Sequence, residues 1–185
     1  MPAGVAAGLV LHFAESSPRA PAASLPHLYG QAVWPGGSRR APSFSLRDED
    51  GSTVTLEGLA GRPILLAFAP HTCTTSCRSA GLALAMAARQ VPLSAHAAFL
   101  IVAPDPDASH PEAAALARAW GLGSAWHWLV GNAPQLRAVR GAYGISERSG
   151  NGPLLYVIDR RGFERAGMRW PFLPQFVADD LRALA

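Results

Sequence analysis

The sequence contains no lysine, and only two of its 185 residues are cysteine. All 16 basic residues are arginines, scattered except for the adjacent pairs Arg39–Arg40 and Arg160–Arg161, and no basic run is interleaved with aromatic residues. Nucleic-acid-binding domains usually concentrate their cations on one face or along one helix. We therefore expect no nucleic-acid partner, although the net charge is +3. Two cysteines are also too few for a disulfide scaffold.

The sequence also lacks a long apolar run. Residues 4–11 are apolar, but this run is far shorter than the roughly 20 residues that a membrane-spanning helix needs. The first arginine is Arg19, so no basic segment precedes that run, as it would in a signal peptide. We expect residues 1–40 to be a leader and linker, either a disordered tail or a degraded export signal or anchor. One domain would follow over residues 41–185.

The two cysteines lie where a strand is predicted to give way to a helix. Residues 64–69 are apolar, Pro70 interrupts them, and an alanine-rich run at 80–89 has helical composition. Amides at a helix N-terminus favour a thiolate over a thiol. Cys73 and Cys77 are four residues apart, which places them on one helix face, near the separation that a disulfide tolerates. Disulfide exchange and binding of a soft metal are both open to such a pair.

The rest of the chain alternates strand and helix patterns. Polar and apolar residues alternate around Asp50–Gly51, which predicts a β-hairpin with a primed turn. Further strands are predicted at 97–103, 126–130, 154–158 and 163–168, and helices at 112–120, 133–142 and 174–184. This order predicts an α/β fold with a central mixed β-sheet flanked by helices, preceded by an N-terminal β-hairpin.

From residue 42 to the C-terminus, these segments resemble the SCO/SenC family of thioredoxin-fold copper chaperones for cytochrome c oxidase assembly. The C-x-x-x-C spacing is the most specific feature, because ordinary thioredoxins have two residues between their cysteines. The resemblance implies a thioredoxin-like fold. It is carried by Pro42-Ser-Phe-Ser-Leu-Arg-Asp, Leu59-Ala-Gly-Arg-Pro63, Cys73-Thr-Thr-Ser-Cys77, Val102-Ala-Pro-Asp-Pro-Asp-Ala-Ser-His-Pro-Glu112, Trp126-His-Trp-Leu-Val-Gly131 and Tyr156-Val-Ile-Asp-Arg-Arg-Gly162.

The family implies that Cys73 and Cys77 bind copper together with a histidine five residues before the aromatic residue of the last core strand. That aromatic residue matches Tyr156, and Asn151 occupies the histidine position. A neutral amide is a poor copper ligand, so His71 is the candidate third ligand. The implied partner is the copper-site subunit of cytochrome c oxidase or another thiol protein. The implied location is outside the cytoplasm, with membrane association through the N-terminus.

Two other functions use the same cysteines. Gly152-Pro153 before the strand at 154–158 is similar to the pattern of TlpA-type thiol–disulfide oxidoreductases, in which the proline is cis; a trans proline that starts the strand is the alternative. In that function Cys73 is the nucleophile and Cys77 the resolving thiol, without copper. A peroxiredoxin ranks last, because Pro70-His-Thr-Cys73 is too short for the Pro-x-x-x-Thr-x-x-Cys pattern of that class.

Overall fold

A computed structural model describes residues 26–69, 75–104, 115, 117–122, 125–146 and 152–185, without the side chains of residues 75–77. Short 3₁₀ helices lie at Glu57–Leu59 and Leu93–Ala95, and residues 117–119 are helical. The described strands are β1 (Ala32–Val33), β2 (Ser45–Arg47), β3 (Thr53–Thr55), β4 (Ile64–Phe68), β5 (Ala98–Val102), β6 (Trp126–Leu129), β7 (Leu154–Ile158) and β8 (Glu164–Arg169). The named helices are α1 (Thr75–Gln90), α2 (Ala133–Ala142) and α3 (Pro174–Ala183).

The central sheet has six strands in the order β1-β8-β7-β4-β5-β6, and β2 and β3 form a separate hairpin. β4, β5 and β6 run parallel, whereas β7 and β8 are antiparallel to their neighbours. This arrangement confirms the predicted α/β fold with a central mixed sheet, an N-terminal hairpin and flanking helices.

β4 lies in the middle of the sheet and is covered on both faces. Its five residues are at most 2% exposed. Leu65 and Ala67 face α1 and α3, which pack against each other. Ile64, Leu66 and Phe68 face α2 and the hairpin. An uninterrupted apolar run is typical of a strand buried in this way.

The hairpin forms as predicted, but its turn is not of the primed type. Arg47 pairs with Thr53, which leaves a five-residue loop. The Asp48 carboxylate accepts hydrogen bonds from the amides of Asp50 and Ser52, and only Gly51 in the loop has a positive φ, of 82°. A primed turn needs a positive φ at its first central residue. The hydrogen bonds to the Asp48 side chain therefore shape this loop, in addition to the predicted Asp50–Gly51 pair.

β1 lies within the stretch that was expected to be leader and linker. Ala32 and Val33 pair with Gly167 and Ala166 of β8 at the edge of the sheet. Just before β1, Leu28 is buried in the core beneath α3, and the Tyr29 amide donates a 2.6 Å hydrogen bond to Asp180. The residues from Leu28 onward are thus integrated into the sheet and its core.

No helix within the described ranges combines the length and hydropathy that crossing a bilayer requires.

Candidate thiol site

The predicted site lies where β4 ends and α1 begins. Ala69 follows β4, and its amide donates a 3.1 Å hydrogen bond to the carbonyl of Val102. α1 begins at Thr75, five residues before the alanine-rich run at 80–89 and within the helix start expected around the cysteines, so Cys77 is its third residue. The amides of a first helical turn have no partner within the helix. We therefore expect the Cys77 thiol to favour the thiolate form.

The other predicted site residues lie outside the described residues. Cys73, His71 and Asn151 belong to that group, and the side chain of Cys77 is not described either. Their convergence on one another stays a prediction. Within the described ranges, no three His, Cys, Asp or Glu side chains come together as a possible metal-ligand set.

Strand register brings the segments that flank these residues to one edge of the sheet. Phe68, the last residue of β4, pairs with Val102 of β5 and with Leu154 of β7. β5 therefore ends, and β7 begins, beside the point where the cysteine segment starts. Asn151 precedes Leu154 by three residues. The strand end that leads to the cysteine segment and the strand start that follows the Asn151 position therefore lie side by side.

The Gly152–Pro153 bond is trans, because the cis peptide bond among the described residues is Trp170–Pro171. The prediction of a cis proline from the TlpA-type pattern is therefore wrong. Pro153 is a trans proline that precedes β7, as in the alternative interpretation. A Cβ atom at Gly152 would lie 2.7 Å from the Cβ of Trp170. The Trp170 amide also donates to the Pro153 carbonyl, at 3.1 Å. Close packing against Trp170 accounts for the glycine.

Arg140 is a buried cation at this edge of the sheet, and the sequence analysis missed it. Its side chain comes from α2, and its Nη1 donates a 3.0 Å hydrogen bond to the carbonyl of Ala69. The residue is only 8% exposed. Hydrogen bonds from a charged donor are stronger than neutral ones. Arg140 therefore fixes the backbone directly before the segment that leads to Cys73.

The sequence carries a signal for this residue. Leu136 and Val139 are buried on the face of α2 that packs under the sheet, and Tyr143, directly after the helix, is buried beside them. Helical residues three and four apart share a face, so Arg140 falls within that apolar stripe, four residues after Leu136. A charge at a core-facing helical position is rarely buried without a specific partner. Such a position identifies a candidate even when the partner is unknown.

Three aromatic rings form the floor beneath the end of β4. The Tyr156 hydroxyl donates a 2.6 Å hydrogen bond to the carbonyl of Tyr143, whose own hydroxyl donates to the Pro42 carbonyl at 2.9 Å. The rings of Phe68 and Tyr143 have centroids 5.2 Å apart. Burial raises the pKa of both tyrosines. Both phenols stay neutral at physiological pH and tie the end of α2 to the hairpin and to β7.

The comparisons with known proteins agree with this architecture. The model of the AhpC/TSA family matches residues 38–165, which is more than half of the chain. The chain belongs to the AhpC/TSA family. None of the curated proteins matches the chain in sequence.

Several solved structures share the fold of this AhpC/TSA-family chain. Copper-bound ScoI from Bradyrhizobium japonicum has a TM-score of 0.65 at 19% identity, over 79% of this chain and 99% of ScoI. Apo Sco1 from Thermus thermophilus has a TM-score of 0.66 at 20% identity, over 88% of this chain and 99% of Sco1. The thioredoxin domain of a Bacteroides vulgatus thiol-disulfide oxidoreductase has a TM-score of 0.60 at 17% identity, over 83% and 95%. These likenesses confirm the thioredoxin-like fold.

Proposed function

We propose that this AhpC/TSA-family protein is an SCO-like protein that uses Cys73 and Cys77 in assembling the copper site of cytochrome c oxidase. The observation that carries the proposal is the position of Cys77 in the first turn of α1, the helix that follows the buried strand β4 in the chain. The structural likeness of the chain to copper-bound ScoI supports the proposal, since the match covers 99% of ScoI. The C-x-x-x-C spacing of the SCO/SenC resemblance gives further support.

Copper is the cargo in this proposal. Cu(I) is a soft ion, and soft ions are held by thiolate ligands. Cys73 and Cys77 would supply two thiolates, and His71 would supply the imidazole that Asn151 does not. The chemistry of the donor set therefore suits Cu(I), with a third ligand that differs in chain position from that of the family.

The same pair supports reduction of a partner's cysteines before the metal is loaded. The Cys73 thiolate attacks a disulfide of the partner, forms a mixed disulfide and releases one partner thiolate. The Cys77 thiolate then attacks Cys73 and releases the second partner thiolate. Two electrons pass to the partner, and this chain keeps a Cys73–Cys77 disulfide. An external dithiol would have to reduce that disulfide before the next turnover.

A TlpA-like thiol–disulfide oxidoreductase without copper is the second candidate. The likeness to the Bacteroides oxidoreductase and the presence of Asn151 in place of histidine favour it. The trans Gly152–Pro153 bond weighs against it, because the proline at this position is cis in the TlpA-type pattern. A peroxidase ranks third, because the Pro70-to-Cys73 spacing stays too short for the peroxidatic pattern.

The expected partner is the copper-site subunit of cytochrome c oxidase or another thiol protein. We place the domain outside the cytoplasm, with membrane association through the N-terminus, because the SCO/SenC resemblance implies that location. A fusion of the full chain to alkaline phosphatase tests it, since that enzyme is active only after export. An inactive fusion that accumulates in the cytoplasm would contradict the location.

The deciding experiment is a Cu(I) titration of the fully reduced chain against a chromophoric chelator. We expect one Cu(I) per chain, lost in Cys73→Ser and Cys77→Ser and weakened in His71→Ala. His27→Ala is the matched control, because His27 is exposed and contacts the ring of Tyr29. Absence of cysteine-dependent binding would remove the copper function. Failure to reduce a mixed disulfide as well would remove both thiol functions.

A further inference from the structure

A cavity lies at the opposite end of the central sheet from the candidate thiol site. It opens where β4 begins and β7 ends, at the paired residues Ile64 and Ile158. Its volume is about 240 Å³, which is below the roughly 300–1,000 Å³ of pockets for drug-sized ligands. A cavity of this size suits a small ligand. Four arginines from three separate segments contribute to its lining: Arg40, Arg62, Arg160 and Arg161.

Aromatic and backbone groups hold three of these arginines in place. The guanidinium carbons of Arg40 and Arg161 lie 5.4 Å and 5.6 Å from the centroid of the Phe163 ring. Arg62 donates from Nε to the His96 carbonyl at 2.8 Å and from Nη2 to the Ala97 carbonyl at 3.3 Å. Neutral groups therefore hold these three side chains in place without forming ion pairs.

Two carboxylates, Glu57 and Asp159, line the same cavity and offset only part of the charge of the four arginines. The pKa of Glu57 is lowered by its hydrogen bond from Ser43 and by the charge of Arg40. Asp159 accepts hydrogen bonds from the amides of Arg161 and Phe163, and its other oxygen lies 3.5 Å from Arg165. Glu57 accepts a 2.6 Å hydrogen bond from the Ser43 hydroxyl. Within the described part of the chain, none of the four guanidinium groups forms an ion pair.

Four arginines against two carboxylates leave an excess of positive charge around this cavity, and a bound anion would lower the repulsion among the arginines. Arginine is the preferred residue for oxyanions because its planar fork donates two parallel hydrogen bonds. The cations come from three segments, at residues 40, 62 and 160–161. A tetrahedral phosphate offers several oxygens to donors from different directions, whereas a planar carboxylate offers two.

We propose that this cavity binds a small phosphate-bearing anion, either inorganic phosphate or a phosphate monoester. The assignment does not depend on the thiol chemistry, because the cavity and the cysteine segment lie at opposite ends of β4. Arg40, Arg160 and Arg161 are exposed on their outer sides, so a ligand can enter from solvent.

The test is a titration of the ¹⁵N-labelled full chain with inorganic phosphate at constant ionic strength, followed by amide chemical shifts. We expect saturable shifts at residues 60–62 and 159–162. Arg40→Gln and Arg160→Gln should each raise the dissociation constant at least tenfold. Arg137→Gln, an exposed arginine of α2, is the matched control and should leave the dissociation constant unchanged.

Three outcomes would overturn the assignment. One is the absence of saturable shifts at those residues, and another is an unchanged dissociation constant in both cavity variants. The third is citrate binding as tightly as phosphate, which would assign the cavity to carboxylates. Arg160→Gln guards against loss of fold, because the Arg160 side chain is exposed and makes no described hydrogen bond. Circular dichroism of each variant checks the fold independently of binding.

Discussion

Arg140 and Ala69 are 71 residues apart in the chain, yet the Arg140 guanidinium donates a buried 3.0 Å hydrogen bond to the Ala69 carbonyl. This bond joins α2 to the end of β4, where the cysteine segment begins. The Arg140 side chain contributes both this stabilising hydrogen bond and a positive charge near the predicted site. Its replacement should therefore change the stability of the fold and, separately, the pKa of the thiols.

Replacing Arg140 with methionine keeps an apolar stem of similar length and removes the guanidinium. We expect the free energy of unfolding to fall by about 1.5–3 kcal/mol, as for a buried hydrogen bond from a charged donor. Because the cation lies at the edge of the sheet that leads to Cys73, we also expect the thiol pKa to rise. Urea unfolding and iodoacetamide reactivity against pH measure the two effects. Arg137→Met, on the exposed side of α2, should change neither.

Asp180 makes the stability of the fold depend on pH. Its side chain is fully buried, and desolvation raises its pKa to about 6 despite hydrogen bonds from the amides of Tyr29 and Gly30. An acid with a raised folded-state pKa binds more protons in the folded than in the unfolded chain. Its contribution to the unfolding free energy is therefore greatest below about pH 4 and is lost as pH rises towards 6.

Asp180→Asn should remove this pH dependence while keeping an oxygen that accepts the Tyr29 amide. Between pH 4 and pH 7, the variant should lose up to about 3 kcal/mol less unfolding free energy than the wild type. Urea unfolding at several pH values measures the difference. Asp179→Asn, one residue earlier in α3 and partly exposed, should keep most of the wild-type slope, because desolvation contributes more than the Asp179 charge to the raised pKa of Asp180. Equal slopes for wild type and Asp180→Asn would contradict the prediction.

Two helical glycines should respond in opposite directions to alanine. At Gly81 in α1, an added Cβ would lie 2.6 Å from the Cβ of the buried Trp120. Overpacking of about 1–3 kcal/mol exceeds the roughly 0.5–1 kcal/mol that alanine gains in a helix. Gly81→Ala should therefore destabilise the fold. At Gly141 in α2, the added Cβ meets nothing within 4 Å, so Gly141→Ala should raise the melting temperature. A lower melting temperature in both variants would contradict this reasoning.

Asn151→His should restore an imidazole at the family's histidine position. If the thiol pair binds copper, this change should tighten Cu(I) binding at least tenfold, or about 1.4 kcal/mol, because imidazole is a far better ligand than an amide. Chelator competition measures the affinity. Asn151→Gln is the matched control and should bind as the wild type does. Equal affinities for the histidine and glutamine variants would separate this position from the metal site.

The strands and helices with strong patterns could be predicted from the sequence. β7 and α2 have their predicted bounds, and β4 and β5 are each within two residues of theirs. These elements carry the apolar periodicity of buried structure. The exact first residue of α1 could not be predicted, because Thr75, Ser76 and Cys77 have no apolar pattern. Their helical state depends on where β4 ends.

The remaining features depend on contacts between distant parts of the chain. β1 has only two residues, and its pairing with β8 joins positions more than 130 residues apart. The phosphate cavity likewise collects cations from residues 40, 62 and 160–161, none of which forms a basic run. For the hydrogen bond from Arg140 to Ala69, the sequence shows the donor, a charged residue within an apolar helical stripe. It does not show that the acceptor is the Ala69 carbonyl.

The pairing of β1 with β8 sets a practical limit on where the chain can be shortened. A protein cut at residue 41, the domain start predicted from the sequence, would leave the backbone donors and acceptors of β8 unpaired along one side. It would also remove Leu28 and expose the core residues beneath α3 against which Leu28 packs. Unprotected strand flanks recruit other copies, so such a shortened protein should self-associate, whereas one that retains residues 26–40 should remain monodisperse at the same concentration.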